Sequence, residues 1–455
     1  MIDFKKFEKY SLPGPRYTSY PTAVEFTEEF TKNDLINIYK TQNNKNDLSL
    51  YIHIPFCRQA CYFCGCNVIF TSKDEKKTKY IKYLIKELNI LKKYIDPNRN
   101  IVQMHFGGGT PTYLDENELD TVIYNIKKVF PNFDKNAEIS CEVDPRYFTQ
   151  GHMNVLKKYG CNRLSFGVQD LDEKVQKEIH RIQPYEITEN VVKIARNAGI
   201  KSINIDLIYG LPLQTKDTFE KTVKEVIKLN PDRLAVFNYA HVPWIKKTMR
   251  KFDENTFCSP SQKLDMFKNT IKILTQNSYK MIGIDHFAKS DDELFKAIKK
   301  GELHRNFQGY STKSGSDLIG IGVTSIGNGE NYYVQNQKDL KKYEESLDIG
   351  NLAVYKGYKL NEDDKIRQFV IMELMSNFWI CIKKVEDKFG IIFKDYFKED
   401  LKRLDSFIKE ELLLLDDNKI EAINTGKMLI RNIAMVFDIY LHKQPIEKRK
   451  FSKTI

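Results

Sequence analysis

Long apolar runs are missing from this 455-residue sequence, and cysteine is scarce. The four leucines at 412–415 have acidic neighbours, whereas a membrane span needs about 20 apolar residues. The opening residues, MIDFKKFEKY, hold no apolar stretch of the signal-peptide kind. Eight cysteines are too few to cross-link a chain of this length as a disulfide scaffold. We therefore expect a cytoplasmic protein with reduced thiols rather than a membrane protein or a disulfide-rich secreted one.

A nucleic-acid-binding stripe is also missing. The formal net charge is +11, from 72 Lys and Arg against 61 Asp and Glu, but the lysines are spread along the whole chain. No basic segment with interleaved aromatic residues stands out. The charge therefore predicts no nucleic-acid partner, and a modest positive field of this kind favours a small anionic substrate.

Half of the cysteines lie in the ten residues CRQACYFCGC, directly after the strand-like run LSLYIHI. Cys57, Cys61 and Cys64 have the spacing C-x3-C-x2-C, and Cys66 follows. A loop this short can bind three corners of a cubane iron–sulfur cluster and leave the fourth iron open for a small molecule. A structural zinc site is the alternative, but it usually pairs two Cys-x2-Cys units a dozen or more residues apart. No second Cys or His pair has matching spacing.

Strand-like and helix-like segments alternate from residue 47 onward, which predicts parallel βαβ units. The predicted strands are 48–54, 101–106, 137–143, 163–168, 202–209 and 233–239, and the predicted helices are 75–94, 116–129, 150–159, 185–198 and 215–228. Six such strands suit either a doubly wound sheet or most of a TIM-type barrel. Each strand is followed by polar residues or glycine, and reactive groups gather at strand carboxyl ends in barrels. We therefore predict an α/β fold with a partial (β/α)6 barrel.

Three features at the strand ends point to a ligand site. The run GGGTPT lets the backbone approach a ligand closely, although a tight turn is the simpler reading. Glu142 and Asp206 are acids that could act in acid–base chemistry or bind ribose hydroxyls. The structural alternative for both acids is a salt bridge to Arg163 or Arg181.

Two polar stretches, 284–289 and 303–310, are predicted to form a long connecting segment that walls a substrate site. His53 and His105 alternate with apolar residues and are predicted to be packed core residues. The predicted organisation has three parts: an extension over the active site (1–46), the barrel with its substrate wall (47–354), and a helical, winged-helix-like domain (355–455). In the last part, helices are predicted at 362–376, 394–409 and 425–443, with a hairpin before the final one.

Several motifs together resemble the radical S-adenosylmethionine (radical SAM) enzymes: YIHIPFCRQACYFCGC, GGGTPTY, EVDPR, SFGVQD, NIDLIYGLP and FNYAHVP. GPRYTSYPT, GIDHFAK, LHRNFQGY and LIRNIAMVFDIYL extend the resemblance over essentially the whole chain. Within the superfamily the chain is similar to the oxygen-independent coproporphyrinogen III oxidases. Cys66 and the PRYTSYPT stretch are the more specific marks. One departure is Phe106, where a tryptophan is more familiar.

The resemblance implies a [4Fe–4S] cluster held by Cys57, Cys61 and Cys64, but not by Cys66, and two molecules of S-adenosylmethionine. The residues that match the first molecule's site are Tyr51, Gly108, Glu142 and Ile326. Those that match the second are Phe63, Gly109, Thr110, Gln169, Arg181, Asp206 and Ala240.

The implied reaction is the anaerobic oxidative decarboxylation of two propionates of coproporphyrinogen III to vinyl groups. It uses a 5′-deoxyadenosyl radical and gives protoporphyrinogen IX for heme biosynthesis. Arg16 and Arg305 are the candidate propionate partners, and Tyr17 and Tyr310 are candidates to pack on pyrrole edges. The resemblance also implies an electron donor such as flavodoxin or ferredoxin, and a monomer.

Two alternatives remain at this point. A heme-binding chaperone on the same scaffold keeps the three cysteines but typically lacks Cys66 and the amino-terminal extension, and both are present here. Another radical SAM enzyme that acts on heme is the second alternative.

Overall fold

The structure, a computed structural model, describes residues 9–42, 46–449 and 451–454, and strands alternate with helices along most of that length. The strands of the barrel region are β1 (Leu48–Ile54), β2 (Phe56–Cys57), β3 (Ile69–Phe70), β4 (Ile101–Gly108), β5 (Phe133–Val143), β6 (Arg163–Gln169), β7 (Ser202–Tyr209) and β8 (Arg233–Asn238). Those that follow are β9 (Tyr279–Ile282), β10 (His286–Lys289), β11 (His304–Asn306), β12 (Gly309–Ser311), β13 (Asp317–Ile321), β14 (Ile326–Gly329), β15 (Tyr332–Asn336), β16 (Val354–Lys359), β17 (Trp379–Cys381), β18 (Leu413–Leu415) and β19 (Lys419–Ala422).

The α-helices of the first two parts are α1 (Lys32–Gln42), α2 (Asp74–Leu91), α3 (Glu116–Val129), α4 (Gln150–Lys158), α5 (Glu173–Glu178), α6 (Tyr185–Asn197), α7 (Lys216–Lys228), α8 (Pro260–Gln276), α9 (Glu293–Lys300) and α10 (Leu340–Asp348). The carboxyl-terminal part holds α11 (Glu362–Asn377), α12 (Ile382–Phe389), α13 (Phe393–Tyr396), α14 (Lys398–Arg403), α15 (Asp405–Lys409), α16 (Ile430–Met435) and α17 (Ile439–His442). No helix of the described residues is long and apolar enough to cross a membrane.

One sheet of twelve strands organises the molecule, in the order β16-β15-β14-β13-β1-β4-β5-β6-β7-β8-β10-β9. The six predicted strands, β1 and β4 to β8, are parallel neighbours, which confirms the partial barrel. The sequence analysis did not predict β13, which continues the parallel sheet beyond β1. Antiparallel strands then extend both edges.

Alternating burial in the strands separates an apolar outer face from a polar inner face. In β7 the side chains of Ile203, Ile205 and Leu207 are fully buried against the helices. Asn204 and Asp206 lie between them and point to the other side of the sheet, since successive side chains of a strand face opposite ways. The interior of the barrel is therefore a polar cavity rather than a second apolar core.

Capping residues determine where several of the helices begin. Asp115 accepts a hydrogen bond from the backbone N–H of Glu118, and Glu118 bonds back to the backbone of Asp115, so α3 starts with a capping box. Its buried residues, Leu119, Val122 and Ile126, recur at helical spacing and pack on the barrel.

Three predictions of local structure need correction, one for a connecting segment and two for helices. The stretch 284–289 is not a loop, because His286–Lys289 forms β10 and pairs antiparallel with β8. The predicted helix 394–409 is three short helices, α13 to α15, and the predicted helix 425–443 is a 3₁₀ helix followed by α16 and α17. Asp438 explains the last break, because its side chain caps the backbone N–H groups of Tyr440 and Leu441 and starts a new helix.

The carboxyl-terminal helices and the three-stranded sheet β17-β19-β18 enclose a second apolar core. The amino-terminal extension contributes Tyr10, Tyr17 and Tyr20 to this core, whereas Leu35 and Tyr39 of α1 join the barrel core. The predicted boundary at residue 355 falls inside β16, which still belongs to the large sheet.

Candidate functional site

A cavity of about 380 Å³ lies inside the barrel and reaches the cysteine loop. Its size is within the usual range for small-molecule sites. The predicted site residues that line it are Cys57, Cys61, Phe63, Cys64, Gly108, Gly109, Thr110, Glu142, Gln169, Arg181, Asp206 and Tyr310. The structure thus brings most of the predicted site together around one space.

The cysteine loop is held at both ends by short parallel pairing of β2 with β3. Inside the loop, the backbone N–H of Cys64 donates to the carbonyl of Cys61 at 3.1 Å. The Cys57 thiol lies 3.5 Å from the Thr110 hydroxyl. Burial raises the pKa of Cys57 to about 12, whereas a hydrogen bond with Cys66 lowers the pKa of Cys64 to about 7.

Two arginines direct positive charge at the middle cysteine. The Cys61 sulfur accepts from Arg181 Nη1 at 3.6 Å and from Arg146 Nη2 at 3.8 Å. Both guanidinium groups also bind the Asp144 carboxylate, at 3.0 and 2.6 Å. Arg181 Nε and Arg146 Nη1 are buried and have no partner. Positive charge at this point of the cavity wall suits an anionic group bound in the cavity.

A cubane cluster fits this donor set better than a single ion does. Among the described residues, no three His, Cys, Asp or Glu side chains converge closely enough to hold one metal ion. The thiolates of a cubane bind separate irons, so they stand farther apart than the ligands of one zinc ion. Three free cysteines on one loop, facing a cavity and backed by arginines, match that requirement.

The three glycines at the carboxyl end of β4 are closely packed. A Cβ on Gly108 would lie 2.7 Å from the His53 ring, and the backbone φ of Gly108 is +116°. A Cβ on Gly109 would lie 2.7 Å from the carbonyl oxygen of Phe56. A Cβ on Gly107 would lie 3.1 Å from the Glu142 carboxylate. The bare backbone therefore sits against the cysteine loop on one side and the acid on the other.

The salt-bridge alternative for Glu142 and Asp206 is wrong for the arginines that were considered. Arg163 pairs with Glu138 at 2.8 Å and also with Glu293, while Arg181 pairs with Asp144. Sheet register decides this outcome, because Arg163 lies opposite Ser140, two residues before Glu142, and Glu142 lies opposite Ser165.

Glu142 and Asp206 instead face the cavity with neutral partners. Glu142 accepts from the Gly108 backbone N–H at 3.3 Å, lies 3.4 Å from His105 Nε2, and keeps its side chain 47% exposed. Asp206 accepts from Asn204 at 2.7 Å and from Ser165 at 3.1 Å. Burial, and secondarily the charge of Glu142, raises the pKa of Asp206 to about 6. Both carboxylates are free to accept hydroxyl or ammonium donors from a ligand.

Gln169 holds an uncommon backbone conformation at the cavity wall. Its φ is +72°, in the left-handed region. Its side chain lines the cavity and packs so closely on Gly167 that a Cβ there would lie 2.8 Å from Gln169 Nε2. Backbone strain at a cavity-lining residue is a recurring feature of ligand sites.

Three residues predicted for cofactor binding lie beside the cavity without lining it. Tyr51 is behind the glycines, with its hydroxyl 3.0 Å from His53 Nδ1 and its ring stacked on His105 at 5.9 Å. Ile326 begins β14, two strands away from Tyr51 in the sheet. Ala240 follows the end of β8 and is half-buried.

The four candidate substrate contacts lie in two parts of the chain. Arg305 and Tyr310 are in the β11–β12 hairpin, and Arg16 and Tyr17 are in the amino-terminal extension. Tyr310 lines the cavity, and the Arg305 guanidinium lies over its ring at 4.7 Å. Arg305 itself lines a second cavity of about 660 Å³, on the other side of the β11–β12 hairpin. Tyr17 is buried, and its hydroxyl donates to Asp438 at 2.8 Å. Arg16 donates to the Asn238 carbonyl at 3.0 Å and does not line the first cavity.

Sequence reasoning missed the polar residues of the inner face. His105 was predicted to be a core residue, but it lines the cavity, with Nδ1 2.7 Å from the Ser140 hydroxyl. Further polar lining residues that were not predicted include Gln103, Arg146, Ser165 and Asn204, whereas His286 and Gln308 lie in the two stretches predicted to wall the substrate site. A period of two was the available signal, since polar residues alternate with apolar ones in β4, β6 and β7.

The parallel barrel and its cysteine loop define a radical SAM protein. The sequence model described as the radical SAM superfamily matches residues 51–226, which include the end of β1, the cysteine loop and most of the cavity wall. This match confirms the class predicted from the motifs.

Comparison with individual proteins narrows the class. The chain is 55% identical to an oxygen-independent coproporphyrinogen III oxidase of Helicobacter pylori, over 100% of this chain and 99% of the relative. It is 44% identical to the Escherichia coli protein of that name, over 100% and 98% of the two chains. The solved structure of E. coli coproporphyrinogen III oxidase (HemN), described as a radical SAM enzyme, superimposes with a TM-score of 0.91 at 43% identity, over 97% of this chain and 99% of that one. The chain belongs to the family of oxygen-independent coproporphyrinogen III oxidases.

Proposed function

We propose that this protein converts two propionate side chains of coproporphyrinogen III to vinyl groups, giving protoporphyrinogen IX in heme biosynthesis. When bound, the cluster and S-adenosylmethionine would supply a 5′-deoxyadenosyl radical that takes a hydrogen atom from the β-carbon of a propionate. Loss of CO2 from that side chain, with transfer of the remaining electron to an external one-electron acceptor, would leave the vinyl group. The family membership and the site geometry support this reaction.

One observation carries the proposal: the three loop cysteines share a single cavity with the glycine run, Glu142 and Asp206. A cofactor bound at the loop can therefore reach acceptors for its hydroxyl and ammonium groups without leaving the cavity. The inner face adds neutral hydrogen-bonding groups, including Asn204, whose Oδ1 is buried and has no partner. Buried polar atoms without partners are rare in folded proteins and mark positions for a ligand or water.

In this proposal two S-adenosylmethionine molecules lie side by side. The first would contact Gly108 and Glu142, with Tyr51 and Ile326 behind them. The residues proposed for the second are Phe63, Gly109, Thr110, Gln169, Arg181, Asp206 and Ala240, and all except Ala240 line the cavity. The buried, unpartnered Nε of Arg181 suits the carboxylate of the second molecule.

The propionates of the substrate need cationic partners, and three arginines supply them on one side of the barrel. Arg305 is buried, and its Nε and Nη1 have no partner. Arg16 and the buried Arg431 border a small pocket together with Asp285. Burial, and secondarily the charge of Arg16, lowers the pKa of Arg431 to about 9. Three guanidinium groups close enough to affect one another favour a polyanionic substrate.

Tyr310 would pack on a pyrrole edge, since it lines the cavity and supports Arg305. Tyr17 would contact the substrate only after it leaves Asp438, so its proposed contribution is to hold the extension in place beside Arg16. The proposal also includes a flavodoxin or ferredoxin as electron donor, a monomeric protein and a cytoplasmic location. The free state of all eight cysteines supports the last of these.

The test is anaerobic reconstitution with iron and sulfide, followed by S-adenosylmethionine, dithionite and coproporphyrinogen III, with the products separated by chromatography. We expect protoporphyrinogen IX, preceded by an intermediate with one vinyl group and three propionates. Arg305→Gln should raise the KM for coproporphyrinogen III by about tenfold or more while the cluster spectrum stays unchanged. A reconstituted protein that cleaves S-adenosylmethionine but leaves every propionate intact would contradict the proposal.

A point substitution tests the contact between the amino-terminal extension and the substrate better than removal of the whole extension does. Tyr10, Tyr17 and Tyr20 are part of the carboxyl-terminal core, so a truncation would unpack that core as well. Arg16→Gln keeps the tyrosines and removes only the charge.

A further inference from the structure

A patch of exposed apolar and basic residues lies on the outer side of the cysteine loop. Trp244 is 63% exposed and Ile245 is 61% exposed, although side chains of this size are usually buried. The 3₁₀ helix Lys247–Lys251 follows directly and brings Lys247 and Arg250 to the surface. We call Trp244, Ile245, Lys247 and Arg250 the basic–apolar patch. Exposed apolar groups with a polar rim mark interaction sites.

The segment that carries the patch is bonded to the cysteine loop. Lys246 Nζ donates to the Cys66 carbonyl at 2.7 Å, and Lys251 Nζ donates to the Tyr62 hydroxyl at 3.0 Å. The Tyr62 ring stacks on His180 at 4.8 Å, and His180 Nδ1 lies 2.8 Å from the carbonyl of Ala60. A partner bound to the patch would therefore lie next to the cysteine loop.

The charge of the segment is uncompensated. The stretch WIKKTMRK has four cations and no acid. Within the part of the chain that the structure describes, the polar contacts of Lys246, Arg250 and Lys251 are with carbonyl oxygens and a phenol hydroxyl rather than carboxylates. Lysines on the barrel helices differ, since Lys224 pairs with Glu220 at 2.6 Å and Lys193 pairs with Glu189 at 2.8 Å. An acidic partner surface would complement the patch.

We propose that the basic–apolar patch is the docking site of an acidic flavodoxin, which delivers electrons to the cluster; this inference rests on the proposed function. In each transfer the reduced flavin loses one electron and the oxidised cluster gains one, with no bond made or broken. The exposed indole and isoleucine suit the apolar edge of a flavin, and the cations suit an acidic rim around it. The bonds from Lys246 and Lys251 to the loop place the patch beside the cysteines.

The experiment compares two electron sources on the reconstituted full-length protein. Flavodoxin binding is measured by calorimetry at low and high ionic strength. Cleavage of S-adenosylmethionine, in the absence of coproporphyrinogen III, is measured with reduced flavodoxin and with dithionite. The variants are Lys247→Glu and Trp244→Ala, which leave the loop contacts of Lys246 and Lys251 intact. The matched control is Lys398→Glu, a charge reversal at an exposed residue of α14.

We expect Lys247→Glu to weaken flavodoxin binding by about tenfold at low ionic strength and by less at high ionic strength, because salt screens exposed charges. Trp244→Ala should weaken binding by about tenfold with little dependence on salt. The flavodoxin-driven rate should fall in parallel, while the dithionite-driven rate stays within about twofold of the wild type. Lys398→Glu should change neither quantity.

Three results would overturn the docking site. Unchanged flavodoxin affinity in both variants would do so. An equal fall with dithionite would assign the segment to the substrate or cofactor site instead. A shift from dimer to monomer on Trp244→Ala, seen by light scattering, would make the patch a self-association surface. A ferredoxin measured in parallel should be less affected; if it alone responds to the variants, the flavodoxin assignment fails. Because no coproporphyrinogen III is present, these outcomes do not depend on which product the enzyme makes.

Discussion

The barrel interior holds two kinds of carboxylate, those paired with an arginine and those without an arginine or lysine partner. Near the amino ends of the strands, Glu138 pairs with Arg163 at 2.8 Å and Asp317 pairs with Arg99 at 2.6 Å. Near the carboxyl ends, Asp144 also pairs with arginines, but Glu142 and Asp206 have no arginine or lysine partner among the described residues. Charges that are paired within the protein stabilise it, whereas carboxylates left without a cation are available to a ligand. We call the amino ends of the strands the structural end of the barrel. The carboxyl ends, where Glu142 and Asp206 face the cavity, are the chemical end.

The largest expected effect is at the chemical end. Cys61→Ala should remove the cluster and all activity, whereas Cys66→Ala should keep it, because the family resemblance assigns only three ligands. Iron counted in the anaerobically reconstituted protein should be about four per chain in the wild type and in Cys66→Ala. It should be close to zero in Cys61→Ala. If both variants lose iron equally, the assignment of three ligands is wrong.

Breaking a buried pair at the structural end should cost the most stability. Arg99→Met leaves Asp317 buried without its cation, which should lower the free energy of unfolding by about 3–5 kcal/mol. Urea unfolding of the cluster-free protein measures this cost. The double variant Arg99→Met with Asp317→Asn should recover part of it, because no unpaired charge remains. If the folded Arg99→Met protein did not bind S-adenosylmethionine, Arg99 would also be needed for the ligand site, and the separation of the two ends would be wrong.

Asp206 should behave in the opposite way, as an acid whose ionisation destabilises the ligand-free fold. Its folded pKa of about 6 lies above the ordinary value of 3.8. The cost of ionisation is therefore fully present above about pH 6 and absent below about pH 4. Asp206→Asn should stabilise the ligand-free protein by roughly 2–3 kcal/mol near pH 8 and by much less near pH 4.

The same urea midpoints at the two pH values check this prediction. Cofactor-dependent turnover should fall in Asp206→Asn, because the ligand loses a charged acceptor. Equal stabilisation at both pH values would show that the carboxylate is not strained by burial.

The smallest expected effect concerns backbone strain at the chemical end. Gln169→Gly relieves a φ of +72° and should stabilise the protein by up to about 1 kcal/mol, while S-adenosylmethionine binding weakens. Ser278→Gly is the matched control, since Ser278 has a φ of +69° on an exposed turn between α8 and β9. It should give a similar gain in thermal midpoint and leave binding unchanged. A loss of binding in both variants would remove the link between strain and function.

The sequence predicted the parts of this fold that local periodicity determines. The bounds of β1, β7 and α3 agree with the predicted 48–54, 202–209 and 116–129. The cavity-lining acids and glycines were also predicted, because they interrupt apolar strands where a barrel has its open end.

The sequence alone did not predict which residues pair across the sheet. The partner of Arg163 depends on how β5 and β6 are registered, and the edge strands β13 to β16 are short and of mixed composition. Their strand character comes from neighbours that are far away in sequence. The breaks in the predicted helices at 394–409 and 425–443 likewise depend on packing in the second core.

The shared core of the extension and the carboxyl-terminal domain sets an order of events during synthesis. Tyr17 bonds to Asp438, 421 positions later, and Arg431 donates to the carbonyl of Gly14 at 2.6 Å. At about 5–20 residues per second, the ribosome needs roughly 20–80 s to make the partner after the tyrosine has emerged. The barrel and its cysteine loop are complete well before then. The segment that carries Tyr10, Tyr17 and Tyr20 is thus made before the barrel and docks after it, and a nascent chain that stops short of α16 leaves these tyrosines without their core.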